Sequence, residues 1–491
     1  MNQTQATLDL LKQAQATPDA MLSKAFTQSG TPTSGLTAYD LEAGAKSLFP
    51  VLTPLRNSIA RVSGKGGIQA AWRAITGINT AMISAGVGQG NRGGVVTTST
   101  KDYTAAYKGI GLEDYVTFEA EYSAEYFADV RAIAARNGLS ALMLQEESII
   151  LGGNTSLALG TTPTPSTATA LIGGTIAADT YNVICVALTY EGFRAASLAT
   201  GVLNDVTRTN ADGSTDNYGG GSAMKSSAAS QDTTGSTSTI SATVTPVAGA
   251  FAYAWYVGTA AAEKLEAITT INSVGLTALA GTGQNASAIT ADKSQNALVF
   301  DGLLTFCSAS DSGAYRAVMA TGTAGTGTKL TADGVGGIVE IDAALMSFWD
   351  NYRLSPDEIW VHSQQQADIS TKVLAGNANT AQRFTFNVDQ GVIAGGTSVK
   401  SYLNRYGMAG AQEIPIKLHP NMPAGTILFV TRTLPYPLSN VSNVLQIRTR
   451  RDYYQIEWPL RSRKYEFGVY ADEVLQCYAP FAFGIITNIA Q

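Results

Sequence analysis

The stretch from Gly64 to Gly111 constrains this chain more than any other. Two strand-like runs, residues 68–78 and 95–107, flank a glycine-rich tip, Gly86-Val87-Gly88-Gln89-Gly90-Asn91-Arg92-Gly93-Gly94. The arms carry Trp72, Ile75, Tyr103 and Tyr107. A two-stranded ribbon is marginal in water by itself. Its apolar side chains need a partner surface, and no adjacent stretch of sequence supplies one. The pattern therefore implies burial against another subunit.

Composition points the same way. Of 491 residues only 14% are charged, against roughly 25% in an ordinary soluble domain. Hydrophobic residues make up 45% of the chain, enough for several cores, and the length corresponds to about three domains. A chain so poor in charge hides much of its surface in contacts. The net charge of -6 excludes a nucleic-acid-condensing protein, which would be strongly basic. His362, His419, Cys185, Cys307 and Cys477 are widely separated, which excludes a structural zinc site or a disulfide framework. The polar N-terminus, with Asp9 and Asp19, does not read as a signal peptide. The apolar runs are too short for a membrane helix, so no membrane partner is expected. Unpaired cysteines fit synthesis in a reducing cytosol.

Along the chain, residues 1–36 read as a polar arm. Thr37 and Asp40 suit the cap of a short helix that Pro50 stops. Residues 51–62 read as extended. Residues 122–151 read as one helix, with Tyr126, Phe127, Val130, Ile133 and Ala134 at three- and four-residue spacing, continued by Leu142, Glu146 and Ile149. Asn137-Gly138 is its weak point, and Gly152-Gly153-Asn154 suits a left-handed cap. Such a helix spans roughly 45 Å, long enough to brace an extended subunit. Residues 160 to about 290 are rich in Thr, Ser, Ala and Gly, with alternating runs at 181–190, 238–245, 251–257 and 264–271. Glu191-Gly192 reads as a turn and 204–235 as a long exposed loop. These are the marks of an antiparallel sandwich. Beyond residue 297, helical patterns at 337–352 and 367–374 mix with short strands, giving an α+β region.

The chemical motifs are weak. Gly88-x-Gly90-x-x-Gly93 matches a dinucleotide fingerprint, but a strand follows where a helix should begin. The segment Asn210 to Asp216 lacks the closing Glu of a calcium loop and reads as a solvated turn. Cys307 lies in an apolar, strand-like run, where a packed thiol outweighs a nucleophile. His362 and His419 read as structural. Arg448, Arg450, Arg451, Arg461, Arg463 and Lys464, with Asp452, Glu457 and Glu466 among them, form a group of net charge +3. That group suits either inter-subunit ion pairs, a DNA-facing patch or a solvated strand face. The five tryptophans read as core or interface anchors. No acid, base, nucleophile or metal-ligand constellation emerges, so neither an enzyme nor a cofactor is expected.

Three stretches carry a family resemblance. They are Leu52-Thr53-Pro54-Leu55-Arg56-Asn57 leading into Trp72-Arg73-Ala74-Ile75-Thr76-Gly77, then Gln145-Glu146-Glu147-x-x-Ile150-Leu151-Gly152-Gly153, and the ending Ala479-Pro480-Phe481-Ala482-Phe483-Gly484-Ile485-Ile486-Thr487-Asn488. In this order the chain resembles a tailed-phage major capsid protein of the Hong Kong 97-type fold, interrupted at 159–290. The interruption, with Tyr181-x-Val183-x-Cys185-x-Ala187, resembles an immunoglobulin or fibronectin III-like module, without the Cys…Trp…Cys signature. The resemblance implies an N-terminal arm at 1–63, an E-loop at 64–115 and a spine helix of the peripheral domain at 116–158. After the inserted β-sandwich at 159–290 come the axial domain and part of the peripheral domain at 291–440, and return strands at 441–491.

It further implies hexamers and pentamers that close an icosahedral virion shell around double-stranded DNA in the host cytoplasm, without sequence-specific binding. Scaffolding, portal and decoration proteins are implied partners. The expected subunit-interface residues are Lys65, Trp72, Arg73, Arg92, Lys101, Tyr103, Tyr107, Arg448, Arg450, Arg451, Arg461 and Arg463. Some members of the family crosslink through an E-loop lysine. Lys65, Lys101 and Lys108 are available here, but no matching asparagine and glutamate are identifiable, so non-covalent closure is expected. An encapsulin-like cargo shell is the alternative within the fold. A surface adhesin built of sandwich modules is the alternative outside it.

Overall fold

A computed structural model describes residues 46–78, 85–125, 128–375, 398–407 and 410–490. The arm at 1–36 and the first part of the short helix expected from Thr37 to Pro50 lie outside the described residues; residues 46–50, where that helix was to end, are not helical. Among those described, no helix is long and apolar enough to cross a membrane. The chain forms two compact units. Of the described residues, the smaller takes in 46–51, Gly111–Leu142 and Tyr454–Tyr470; the larger takes in Leu52–Ile110, Met143–Tyr453 and the chain from Ala471 on.

The larger unit is built on a six-stranded mixed sheet. Its order is Tyr315–Val318, Gly484–Thr487, Ile427–Val430, Glu358–Val361, Gln412–Leu418 and Ser401–Asn404. Ile427, Leu428, Phe429 and Val430 are all buried, as expected of a strand covered on both faces. The helix Val339–Tyr352 buries Ile341, Ala344, Leu345 and Phe348 at three- and four-residue spacing. The Phe348 and Phe429 rings lie 5.9 Å apart, which joins the helix to the sheet.

Residues 166–276 of the same unit form two further antiparallel sheets. One has the order Lys264–Thr269, Ala252–Gly258, Thr180–Leu188 and Ala229–Asp232; the other is Ser273–Leu276, Thr239–Thr243 and Ser166–Ala170. Strand alternation explains the composition. Val183, Cys185 and Ala187 join one apolar cluster with Trp255, Ile240 and Val274, while Ile184, Val186 and Leu188 join another with Tyr256, Leu265 and Ile289. The central sheet is thus buried on both faces.

The ends of this insertion are stitched together. Asn296 N donates to Asn154 O at 2.7 Å, and Gly302 N donates to Gly153 O at 2.8 Å. Asn154 Nδ2 donates to Ser294 O at 2.8 Å.

Several expectations are corrected. Residues 51–62 are not wholly extended: Pro54–Ser58 is a short helix with Pro54 in its first turn, where a missing N–H costs nothing. The long helix is Val130–Gly152, preceded by a separate helix Phe118–Ser123. Gly152 and Gly153 are not in the left-handed region. They are small because their neighbours press close: a Cβ on Gly152 would lie 2.4 Å from the Tyr190 ring, and one on Gly153 would lie 2.3 Å from the Phe300 carbonyl oxygen. Glu191-Gly192 lies in the helix Tyr190–Ala195 rather than in a turn. The supposed loop at 204–235 holds the hairpin Asp205–Thr209/Thr215–Gly219 and the sheet strand Ala229–Asp232. Cys307 is helical, within Leu303–Ser308, and buried.

Gly153→Ala should destabilise the chain by about 2 kcal/mol, because the new methyl meets backbone that cannot rotate away. Denaturant unfolding of the two proteins checks this.

Candidate assembly site

The ribbon that the sequence singles out is the hairpin Gln69–Ile78/Thr98–Ala106 of the larger unit, with a bulge between Ile75 and Gly77. Its register places Trp72 opposite Tyr103 and Arg73 opposite Asp102. The Trp72 and Tyr103 rings stack at 5.7 Å, and Tyr478 meets Trp72 edge-on at 5.6 Å. Ala70 is buried, and Ala105 and Tyr107 pack against the main core. The root of the hairpin therefore does find partners in its own chain, against the expectation that none exist. Beyond Trp72 this changes. Ile75 is 71% exposed and Ile78 56%; near the tip, Val95 is 82% exposed. Lys101 lies 3.4 Å from Asp311, both side chains in solvent, and 5.1 Å from the centre of the Tyr103 ring.

The root is held by a buried ionic network. Leu142, Glu146 and Ile150 form one stripe of the long helix, and Glu147 and Leu151 another; all five are buried. Two carboxylates thus occupy core positions. Glu147 caps the short helix Pro54–Ser58: its Oε1 accepts from Leu55 N at 2.9 Å and its Oε2 from Arg56 N at 2.7 Å. His419 Nε2 lies 2.7 Å from Glu147 Oε1. His419 Nδ1 accepts from Asn421 N at 3.1 Å, which leaves the proton on Nε2 to be donated to Glu147.

Glu146 accepts from Arg56 Nε at 2.9 Å and from Arg61 Nη1 at 2.5 Å. Arg61 Nη2 also donates to Glu473 at 2.5 Å and to Asp452 at 2.7 Å. Tyr453 donates its hydroxyl to Glu146, and both guanidinium groups lie over its ring, at 5.1 Å for Arg56 and 4.5 Å for Arg61. Burial penalises the Arg61 charge, but Glu473 and Glu146 outweigh that and hold its pKa above the ordinary value. Burial, with the Glu146 carboxylate alongside, pushes Glu473 upward. Asp452 is also desolvated, yet Arg61 pulls its pKa below the usual range. Chemically the network is a clamp. It fixes Pro54–Ser58 and the strand Ala60–Ser63, which pairs in parallel with Leu445–Glu457, so the chain enters the hairpin from an immobile base.

The sequence singled out Glu146 as part of the apolar face of the helix but missed its partners. The expected interface residues are scattered. Lys65, Arg92, Arg451 and Arg461 are exposed. Arg73 is paired with Asp102 at 2.6 Å, Arg450 with Asp472 at 3.0 Å and Arg463 with Glu119 at 2.8 Å. Arg448 Nη1 is 3.5 Å from Gln476. Trp72 and Tyr103 meet at the hairpin root, together with Tyr478, which sequence reasoning did not single out; Tyr107 packs against the main core, with Arg450 over its ring. Among the described residues no cluster of His, Cys, Asp and Glu could hold a metal ion.

No protein-family model matches the chain, and no curated protein matches it. Among solved structures it is similar to the capsid of a native GTA particle, at 8% identity and a TM-score of 0.40, over 96% of this chain and 100% of that one. It is also similar to the capsid of Myoviridae Phage XM1, at 9% identity and a TM-score of 0.42, over 94% and 100% of the two chains. A further likeness is to the holo-SrpI encapsulin complex from Synechococcus elongatus PCC 7942, at 10% identity and a TM-score of 0.37, over 91% and 93%.

Two results test the clamp. Arg61→Ala should cost about 3–5 kcal/mol, because it strands buried carboxylates. The Glu473 side chain, held above its ordinary pKa of 4.5, keeps a proton that the unfolded chain releases. Its contribution to stability should therefore fall as pH rises from about 4.5 through the raised value. Glu473→Gln should flatten that slope in unfolding curves recorded across pH.

Proposed function

We propose that this chain is a major capsid protein of the Hong Kong 97 type, a non-enzymatic subunit that builds the icosahedral head of a tailed phage around double-stranded DNA. The observation that carries this reading is the contrast along the hairpin. Its root is locked by Trp72, Tyr107 and the Arg61 clamp, while Ile75, Ile78, Val95 and Val96 stand in water. A rigid arm that exposes apolar surface marks a contact not yet made. When the arm of one copy lies on the body of the next, the contact is heterologous and repeats from subunit to subunit. Such contacts close into rings or shells where curvature allows.

The remaining assignments follow from that role. Lys65, Arg73, Arg92 and Lys101 lie on or beside the arm and serve subunit contacts. Arg448, Arg450, Arg451, Arg461 and Arg463 supply charge to neighbouring copies or to the shell interior. A net charge of -6 suits a container whose wall does not hold its DNA tightly. The segment 159–290 is an accessory immunoglobulin-like module. Scaffolding, portal and decoration proteins are the further partners of such a subunit.

Electron microscopy of the purified chain should show closed, hollow particles; a protein that stays monomeric at every concentration overturns the reading. DNA inside particles isolated from cells separates a virion shell from a cargo compartment, which would hold protein. Trp72→Ala should leave a folded subunit but sharply reduce particle yield, because the arm loses its fixed direction.

A further inference from the structure

The inserted sheets meet the body at two separate attachments. One is built of neutral groups. Asn272 N donates to Asn488 Oδ1 at 2.8 Å, Asn272 Nδ2 donates to Thr321 Oγ1 at 2.8 Å, and Gly325 N donates to Ser273 Oγ at 3.0 Å. The other holds two carboxylates. It combines the seam at Asn154 and Asn296 with the short helix Tyr190–Ala195, which lies on the last turn of the long helix. There the Tyr190 ring covers Gly152, and Arg194 donates to Ser148 Oγ.

The two carboxylates grip opposite legs of the seam. Asp301 Oδ1 accepts from Thr155 N at 2.8 Å and from Ser156 N at 3.0 Å, on the outgoing leg. Glu191 Oε2 accepts from Asn296 Nδ2 at 3.3 Å, on the returning leg. Part of Glu191 reaches solvent, yet desolvation of its carboxyl is the largest influence and pushes its pKa up to about 7. Asn296 and Arg194 pull the other way, while Asp301, a like charge, adds to the rise. Tyr190, raised from its ordinary value of 10 by burial, stays neutral here. Glu147, on the long helix, faces Tyr190 and is held by the Leu55 and Arg56 amides.

We propose that this attachment is a pH-graded latch: ionisation of Glu191 beside Asp301 loosens the seam, while the neutral attachment keeps the module tethered and acts as its pivot. A carboxyl raised in the closed state, and at its ordinary 4.5 in the opened one, favours closure fully below pH 4.5. That preference falls as pH rises from there to about 7. Between pH 6 and pH 8 the population of opened seams should grow about tenfold. The latch belongs to the single chain, so it operates with or without a shell.

Hydrogen–deuterium exchange of the full-length chain tests it, read by peptide mass spectrometry and corrected for the intrinsic rate at each pH. Protection of residues 153–157 and 294–302 should fall about tenfold from pH 6 to pH 8. The pivot, residues 272–274, should stay protected at pH 8. Glu191→Gln keeps the shape and an acceptor for Asn296 but removes the charge, so its seam should be equally protected at both pH values. Glu473→Gln, in the ionic clamp, should leave the tenfold change in place. A parent seam whose protection does not change with pH overturns the latch, even where the Glu191→Gln chain fails to fold. A change that survives Glu191→Gln, or one that Glu473→Gln abolishes, also overturns it, as does a pivot that opens together with the seam.

Discussion

Two carboxylates placed on the apolar stripe of a helix set the terms for the rest of this structure. Glu146 and Glu147 are fully buried, and removing such groups from water costs several kcal/mol each unless partners replace the solvent. The partners come from far along the chain. Arg56, Arg61 and the Leu55 and Arg56 amides come from the segment before the hairpin, and His419, Tyr453 and Glu473 from the last hundred residues. The helix, the entry to the arm and the late strands must therefore come together for any of them to be stable there. The requirement also works against alternatives: a shifted register would leave a charge buried without a counter-ion.

The consequence runs outward from that point. Because Pro54–Ser58 and Ala60–Ser63 are fixed, the hairpin that follows has a defined origin. The contacts of Trp72, stacked on Tyr103 and edge-on to Tyr478, then give it a defined direction. An arm with both can carry apolar residues into solvent and still meet a partner with little ordering left to do, which favours tight association. A floppy ribbon of the same composition would lose much of that advantage to entropy.

What the sequence revealed, and what it hid, divides along range. The hairpin, the helix at Val339–Tyr352 and the alternation at Thr180–Leu188 are local patterns, and each was legible from spacing alone. The short helix at Pro54 was missed because proline reads as a breaker, although it is well suited to a first helical turn. The glycines at 152 and 153 read as a cap. Their cause lies at Tyr190 and Phe300, which spacing cannot reveal. The ionic clamp was hidden for the same reason, since its members stand 85 to 412 positions apart. One signal was available: an acidic residue at Glu146, in register with Leu142 and Ile150, demands a buried cation somewhere in the fold. The hairpin at Asp205–Gly219 was lost among turn residues that serve strand ends as well as loops.

The seam between Asn154 and Asn296 has a consequence of its own. The chain leaves the body and returns to it at adjacent backbone positions, bonded to one another, and the sheets between have cores of their own. Such an excursion is modular above its base: Tyr190 and Phe251 join the core of the body and Asn272 N donates to Asn488 Oδ1, so a replacement must keep those contacts, while the strands beyond them can be shortened or exchanged. Evolution, or an engineer, could thus redecorate each copy while leaving the geometry of the six-stranded body intact.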